Sequence, residues 1–460
     1  MKKNNFLFFY AFTPLFFTAC TGGKKAADNT PKAPARTPVT TTYEPAKVVI
    51  KVDTVKWKNT GTPPKREETS TPVVVNTSSN SGKLESKHNN YKPHNIVKHE
   101  KYNVVIAMPF DAANFKNVKA SPNIQAMSVE FYAGALIALY DLKAEGLKLN
   151  VNVLDTKIHT NDDLLTSDIM RNADLIIGPL QNEEVKKVAD FADKNQIAFI
   201  SPFNPNSVVQ VYPVPNYVQV SPTVESQFEY MLTYFKDKFP KAQFAVVKGS
   251  TDNEGQNVEK IKNAFKRVQQ DETADITVLT AEQSATWKSK LSGIGQAIIF
   301  VPSGRKEFIQ SQLSQIGDNA IVIGMPSWFD MDGIGSYIGN KSVYIPRDFY
   351  IDVADVVTKD FKRRYWDTYG IMPGGYAYRG YDIMLYFGRC LDEHGIYFKD
   401  ELPTTTLSKK YMTTQFSFNE LHRSVQKPAN FSTDVRQYEN GFVHILRYEP
   451  TTGMFARMNW

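Results

Sequence analysis

Cysteine is nearly absent from this chain of 460 residues: there are two, Cys20 and Cys390. No disulfide framework can staple the fold, so its stability must come from a packed core. Cys390 lies in the apolar stretch LYFGRCL, which reads as a helix and makes it a buried, inert thiol. Histidine is also scarce. The seven are at positions 88, 94, 99, 159, 394, 422 and 444, and none forms HExxH or pairs with a Cys at metal spacing. There is no G-x-S-x-G elbow, no Walker loop, and no G-x-G-x-x-G after a strand. Asp330-Met331-Asp332-Gly333 begins like a calcium loop, but the later ligands and the closing Glu are missing, so it reads as a turn. These absences point away from an enzyme and leave no metal or cofactor implied. No stretch beyond the first twenty residues reaches the roughly 18 apolar residues of a membrane-spanning helix.

Basic charge is missing where it would matter for nucleic acid. Residues 1–100 carry 16 Lys and Arg against 7 Asp and Glu, a net of +9 in a chain of net +6, which leaves −3 for residues 101–460. The basic balance is a property of the leading segment, and the body lacks a nucleic-acid footprint.

The chain opens with a targeting pattern. Lys2-Lys3 and the apolar core Phe6–Phe17 precede Phe17-Thr18-Ala19-Cys20. This resembles a bacterial lipobox, with Phe at the first box position in place of the usual Leu. The resemblance implies a signal peptide over 1–20, cut before Cys20, and a lipid on its thiol as the membrane anchor. Residues 21–100 are poor in large apolar side chains and rich in Pro, Thr, Ser, Asn and Lys, the composition of a disordered tether. Within them Lys47–Lys58, KVVIKVDTVKWK, alternates like a strand. It is either an edge-pairing peptide or a stray β-prone piece of linker.

From Lys101 the texture changes. The stretch that organises the body is Ala173–Asn204, ADLIIGPLQNEEVKKVADFADKNQIAFISPFN. Leu175–Ile177 and Ile197–Ile200 are short branched runs, the pattern of strands buried on both faces. Between them Val185, Val188, Ala189 and Ala192 form one helical stripe, with Glu183 and Glu184 at the positive end of the helix dipole. This is a parallel β-α-β unit. Val104–Met108, Val151–Asp155 and Tyr217–Val220 supply further strands, and Phe131, Ala135, Leu136, Leu139 and Leu142 mark the first helix. The alternation repeats from Phe228 to Ile323, so about 360 residues suit two lobes. Ser342–Asp352 reads as a crossing segment and Tyr376–Leu391 as an aromatic-rich helix. Asp434–Glu439, Phe442–Tyr448 and Met454–Trp460 read as a terminal β-meander on the second lobe, with Asn440-Gly441 and Pro450–Gly453 as hairpin turns. The boundaries expected are lobe 1 at 101–222, lobe 2 at 223–346, a return to lobe 1 at 347–395, and a return to lobe 2 at 396–460.

Several pieces carry a family resemblance in order: VVIAMPF, FYAGALIALYDL, the strand ending at Asp155, ADLIIGPL, IAFISPF, YVQVSPTVESQ and Gly380-Tyr381-Asp382. Together they resemble the type I periplasmic binding proteins, the bilobed receptors related to branched-chain amino-acid binders. The resemblance implies an α/β fold of two lobes, each a doubly wound parallel sheet, that binds a solute by hinge closure. The chain departs from the amino-acid binders at the loops that hold the ligand's carboxylate: Pro179-Leu180-Gln181-Asn182 lacks hydroxyls, and Ser201 is followed by Pro202-Phe203-Asn204. The same loops also resemble the binding-protein-shaped domain of outer-membrane lipoproteins that activate penicillin-binding proteins. That likeness implies an envelope regulator in contact with a peptidoglycan synthase.

Ligands of open α/β sheets sit at the carboxyl ends of the strands. The candidate contacts are therefore Phe110, Asp111, Asp155, Gln181, Asn182, Ser201, Phe203 and Asn204 from the first lobe. Lys248, Ser250, Ser303, Arg305 and Trp328 come from the second, and Tyr376, Tyr378 and Asp382 from the late helix. Phe203 and Trp328 are placed to sandwich a flat or sugar-like ligand. The expectation is a lipid-anchored protein on the periplasmic face of the outer membrane that binds a small molecule. The alternative is a scaffold whose cleft is vestigial and whose surface binds an envelope protein.

Overall fold

Branched apolar residues in short runs build two buried sheets. The structure, a computed structural model, describes residues 96–113, 122–157, 161–180, 182–203, 216–291, 293, 295–405, 407, 410–420 and 437–458. Cys20, the Lys47–Lys58 segment, Gln181 and Asn204 lie outside the described residues.

The strands are β1 (Tyr102–Met108), β2 (Leu149–Asp155), β3 (Leu175–Ile177), β4 (Ala198–Ser201), β5 (Tyr217–Gln219), β6 (Gln243–Lys248), β7 (Thr277–Thr280), β8 (Ala297–Phe300), β9 (Ile321–Ile323), β10 (Ser342–Arg347), β11 (Phe418–Glu420), β12 (Tyr438–Asn440), β13 (His444–Glu449) and β14 (Met454–Arg457). The helices are α1 (Pro122–Ala144), α2 (Asn161–Thr166), α3 (Asp168–Arg171), α4 (Asn182–Lys194), α5 (Val224–Lys238), α6 (Asp252–Gln269), α7 (Trp287–Lys290), α8 (Lys306–Ile316), α9 (Ile334–Ile338), α10 (Val356–Tyr369) and α11 (Gly375–His394). Two sheets of seven strands result, ordered β11-β12-β5-β4-β3-β1-β2 and β14-β13-β10-β9-β8-β6-β7. The first five strands of each sheet are parallel, and in both the second strand of the set lies outside the first. The chain therefore winds one way and then the other in each lobe, the doubly wound arrangement the sequence implies.

Each sheet is buried on both faces, which is why its strands read as continuous apolar runs. In the first sheet Val104, Ile106 and Ile177 pack under α1 and α11, while Val105, Ala107 and Ile176 pack under α4. The second sheet repeats this, with Val247 and Ile299 on one face and Val246 and Ile298 on the other. Each fully buried Val, Ile, Leu or Phe contributes about 1.5–3 kcal/mol relative to exposure. Helices α1 and α11 touch at Gly134 and Gly380. A Cβ at Gly134 would collide with the Ala377 carbonyl, and one at Gly380 with the Phe131 carbonyl. Cys390 is fully buried in this layer, and burial pushes its thiol well above the usual range.

Two boundaries differ from the sequence reading. The body starts before Lys101: the Val97 carbonyl accepts from the Ile396 amide at 3.0 Å, His99 Nδ1 is 3.1 Å from Asp174 Oδ1, and Glu100 pairs with Lys148. At the other end, the described residues between 396 and 440 stay with the first lobe. Phe398, Leu402, Phe418 and Tyr438 join its core, and Phe416 stacks on Tyr386 of α11 at 4.1 Å. Aromatic residues in this segment match an aromatic helix face, which holds the segment in place. The β12 strand pairs with β5 and β11, so Asn440-Gly441 does not close a hairpin; it begins the passage to the second sheet. The terminal antiparallel pair is β13–β14, turned through residues 450–453.

Candidate functional site

Three segments carry the chain between the sheets: the one after β5, the one after β10, and the one after β12. The first two leave the carboxyl ends of parallel strands. Loops after β1, β3 and β4, and after β6, β8 and β9, therefore emerge on the edges that border the crossings.

On the first lobe, the β1 loop is built around Asp155. Its carboxylate accepts the amides of Asp111 and Ala112 at 3.0 and 2.8 Å and that of Lys157 at 3.0 Å. The first two of these bonds hold Asp111 at φ 50°, a left-handed conformation uncommon outside glycine. Asp111 accepts from Gln125 Nε2 at 2.7 Å. Phe110 meets Tyr132 edge-on at 5.8 Å. Ser201 is fully buried at the end of β4, and its hydroxyl has no partner among the described residues. Phe203 is half-buried and edge-on to Phe131 at 5.4 Å and Tyr376 at 5.2 Å. Asn182 opens α4.

On the second lobe, the loops after β6 and β8 flank the switch point of the sheet. Arg305 grips Glu254 with two bonds, Nε to Oε1 at 2.9 Å and Nη2 to Oε2 at 3.0 Å. Ser303 donates to the same carboxylate at 2.6 Å, and Glu254 closes the capping box of α6 with Thr251. Burial opposes the charge, yet the bonds from Arg305, Ser303 and Thr251 hold the Glu254 carboxyl down at about 2. Ser250 accepts weakly from Arg305 at 3.4 Å, and Lys248 is exposed. Trp328 is fully buried: its Nε1 donates to the Ser303 carbonyl at 2.7 Å and its ring lies against Gly324. The expected Phe203–Trp328 sandwich is thus not formed, because the indole fills the core behind the loop.

The hinge between these edges is a polar knot that the sequence reading missed. Arg379 of α11, 2% exposed, donates to Asp348 Oδ2 at 2.9 Å, the Pro202 carbonyl at 2.7 Å and Ser221 Oγ at 2.8 Å. Ser221 also donates to Asp348 at 2.8 Å. The guanidinium lies over Phe203 and Phe349 at 4.9 and 4.7 Å, and Arg347 lies over Phe349 and Phe329 at 4.9 and 4.6 Å. Glu439 of β12 ties the first crossing, accepting from Gln219 Nε2, Ser226 Oγ and the Thr223 amide. Asp382 is fully buried; its Oδ2 accepts from the Thr413 amide at 2.6 Å and hydroxyl at 2.7 Å. The Thr413 carbonyl accepts from Tyr350 and from His444 Nε2, both at 2.9 Å. Tyr378 packs on Phe361 at 4.8 Å inside the first lobe. Of the late-helix candidates only Tyr376 stays half-buried at the edge. It lies in the fields of Glu130 on α1 and of Asp330 and Arg347 on the second lobe, and burial raises its phenol. The structure thus brings Phe203 and Tyr376 together, and assigns Asp155, Ser303, Arg305, Trp328, Tyr378 and Asp382 to internal bonds or packing.

The family model for "Periplasmic binding protein" matches residues 133–406. The chain belongs to the periplasmic binding protein family. The search of curated proteins gave no match. Among solved structures, the chain is similar to a protein described as a branched-chain amino acid ABC transporter from Rhodospirillum rubrum, with 16% identity, 78% of this chain and 100% of that chain covered, and TM-score 0.53. It is also similar to full-length LpoA from Haemophilus influenzae, with 11% identity, 80% of this chain and 60% of that chain covered, and TM-score 0.52. At such identities the likeness establishes the two-lobed fold alone. The knot residues had one sequence signal: a charged Arg379 amid the buried run Ala377–Leu391 of this binding-protein helix. An arginine in such a run has to be paired.

Proposed function

We propose that this chain is an envelope receptor that closes on a small solute between its two lobes. The observation that carries the reading is Tyr376. Its ring is half-buried against Phe203, its hydroxyl makes no hydrogen bond among the described residues, and it stands between Glu130 of one lobe and Asp330 and Arg347 of the other. An aromatic face, a free hydroxyl and charges of both signs suit a solute with a flat or sugar-like body and polar substituents, including a cell-wall fragment. Lys248 and Ser250, at the switch point of the second sheet, extend the polar side.

The test is thermal unfolding of the protein with amino acids, peptides, nucleosides, sugars and muropeptides. A ligand at a hundred times its dissociation constant adds about 2.7 kcal/mol, read as a rise in midpoint. Tyr376→Ala is expected to abolish that rise while changing the midpoint of the empty protein little. A panel without any shift would turn the reading over to the second one.

That second reading is a regulator whose surface binds an envelope protein. It is favoured by the internal saturation of Asp155, Ser303 and Arg305, and by apolar side chains exposed around α10: Val353, Val356, Trp366, Ile371 and Met372. LpoA of Haemophilus influenzae is named as a regulator of PBP1A, and a peptidoglycan synthase is the kind of partner this reading takes.

In either case we place the protein on the periplasmic face of the outer membrane, held by a lipid on Cys20. Among the described residues no helix is long and apolar enough to cross a membrane. Cys20→Ala is expected to move the protein from the membrane to the soluble fraction of broken cells; unchanged retention would remove the lipid from the account.

A further inference from the structure

Far from the crossings, at the amino-terminal edge of the first sheet, an open depression of about 570 Å³ is lined by polar side chains. Its floor is made by strand residues that the pattern of the sheet would have apolar. Asn103 shares a face of β1 with Val105 and Ala107, and Asn150 and Asn152 share a face of β2 with Leu154. Further along β1 and β2 that face is core. Asn150 Nδ2 donates to Asn103 Oδ1 at 2.9 Å, so these two satisfy each other in part. Asn152 does not: it is 7% exposed, lines the depression, and its side chain makes no hydrogen bond among the described residues. Its donor and its acceptor face the depression and are left for a ligand to bond.

The walls narrow the choice of ligand. Asp174 bonds the Asn103 amide at 2.7 Å and His99 Nδ1 at 3.1 Å, and Asp168 stands on the rim beside Asn172. Two carboxylates disfavour an anion. A metal ion is also unsuited, since among the described residues no three His, Cys, Asp or Glu side chains are grouped to hold one. Carboxamides offer a donor and an acceptor side by side, the match for vicinal hydroxyls. The His99 ring, stacked on Tyr102 at 5.8 Å, and Ile169 supply apolar surface for the C–H face of a ring. The volume is that of a small-molecule site (about 300–1,000 Å³). We propose that this depression is a second binding site, separate from the cleft, and that it takes a neutral saccharide.

The test is saturation-transfer NMR on the full chain with chitotriose and maltotriose at millimolar concentration. At least one sugar is expected to show transfer. Asn152→Leu, which replaces the unpaired amide by an apolar side chain, should weaken it by about tenfold or more. Asn172→Trp at the exposed rim fills the depression without touching the core, and serves if Asn152→Leu does not fold. Tyr376→Ala should leave the signal unchanged. Absence of transfer from both sugars overturns the proposal. So does transfer that survives both depression variants, and so does transfer lost in Tyr376→Ala, which would place the sugar in the cleft instead.

Discussion

Arg379→Leu is expected to lower the unfolding free energy by about 3–5 kcal/mol, the usual cost of removing one member of a buried ion pair. The size follows from what is left behind. Burial alone would push the Asp348 carboxyl up, but Arg379 and Arg347 hold it below the usual carboxylate range. Without Arg379 that carboxylate keeps Ser221 and a more distant cation, and the Pro202 carbonyl loses its donor. Arg379→Lys should recover only part of the loss, because an ammonium cannot bond Asp348, Pro202 and Ser221 while lying flat on Phe203 and Phe349. Asp348→Leu combined with Arg379→Leu should be less damaging than the sum of the two, since neither charge is then stranded. Urea unfolding of the four proteins measures all of this. A loss below about 1 kcal/mol for Arg379→Leu, within the range of ordinary surface changes, would mean the knot is solvated and does not hold the crossings.

The knot also shows where sequence reading stops. Strands such as Leu175–Ile177 and Ile298–Phe300 are legible because burial on both faces leaves no polar position to confuse the pattern. Asp155 was legible as the end of β2, and its role was not. Whether a carboxylate at a strand end meets a ligand or bonds the next loop depends on φ at Asp111, which no periodicity records. Arg305 and Ser303 read as cleft groups for the same reason, since their partner Glu254 is 51 residues from Arg305 and 49 from Ser303. Trp328 read as a stacking platform, yet Gly324 gives the ring room to turn inward. The placement of β12 in the first sheet was hidden because its three residues are short and its partner β5 lies more than two hundred positions earlier.

The second large effect concerns pH, and it is hidden in the natural protein by cancellation. Asp382 and His444 are both buried and share Thr413, one bonding its amide and hydroxyl and the other its carbonyl. Burial pushes the Asp382 carboxyl up to about 6. Burial pushes the His444 imidazole down to about 4, assisted by the charges of Arg457 and Arg347. The ordinary unfolded values are about 3.9 and 6.5. In the folded protein Asp382 keeps its proton to higher pH than in the unfolded chain, so its contribution is full below about 3.9 and is lost as pH rises through about 6. His444 does the opposite: the unfolded chain binds the proton first, so its contribution is full above about 6.5 and is lost as pH falls through about 4. Each spans about two units, or about 3 kcal/mol, over nearly the same window and with opposite sign. Asp382→Asn leaves the histidine alone, and stability should then climb by about 3 kcal/mol relative to the natural protein between pH 4 and 6.5. His444→Gln leaves the acid alone, and stability should fall by a similar amount over that range. Urea unfolding at intervals across the window, taken as variant minus natural protein, removes every other titrating group from the comparison. Parallel curves for Asp382→Asn and the natural protein would mean that Asp382 is ionised in the folded state and that the Thr413 node is reached by water. Divergence in opposite directions would show that Asp382 and His444 are both held neutral at the Thr413 node, where the second and third crossings meet.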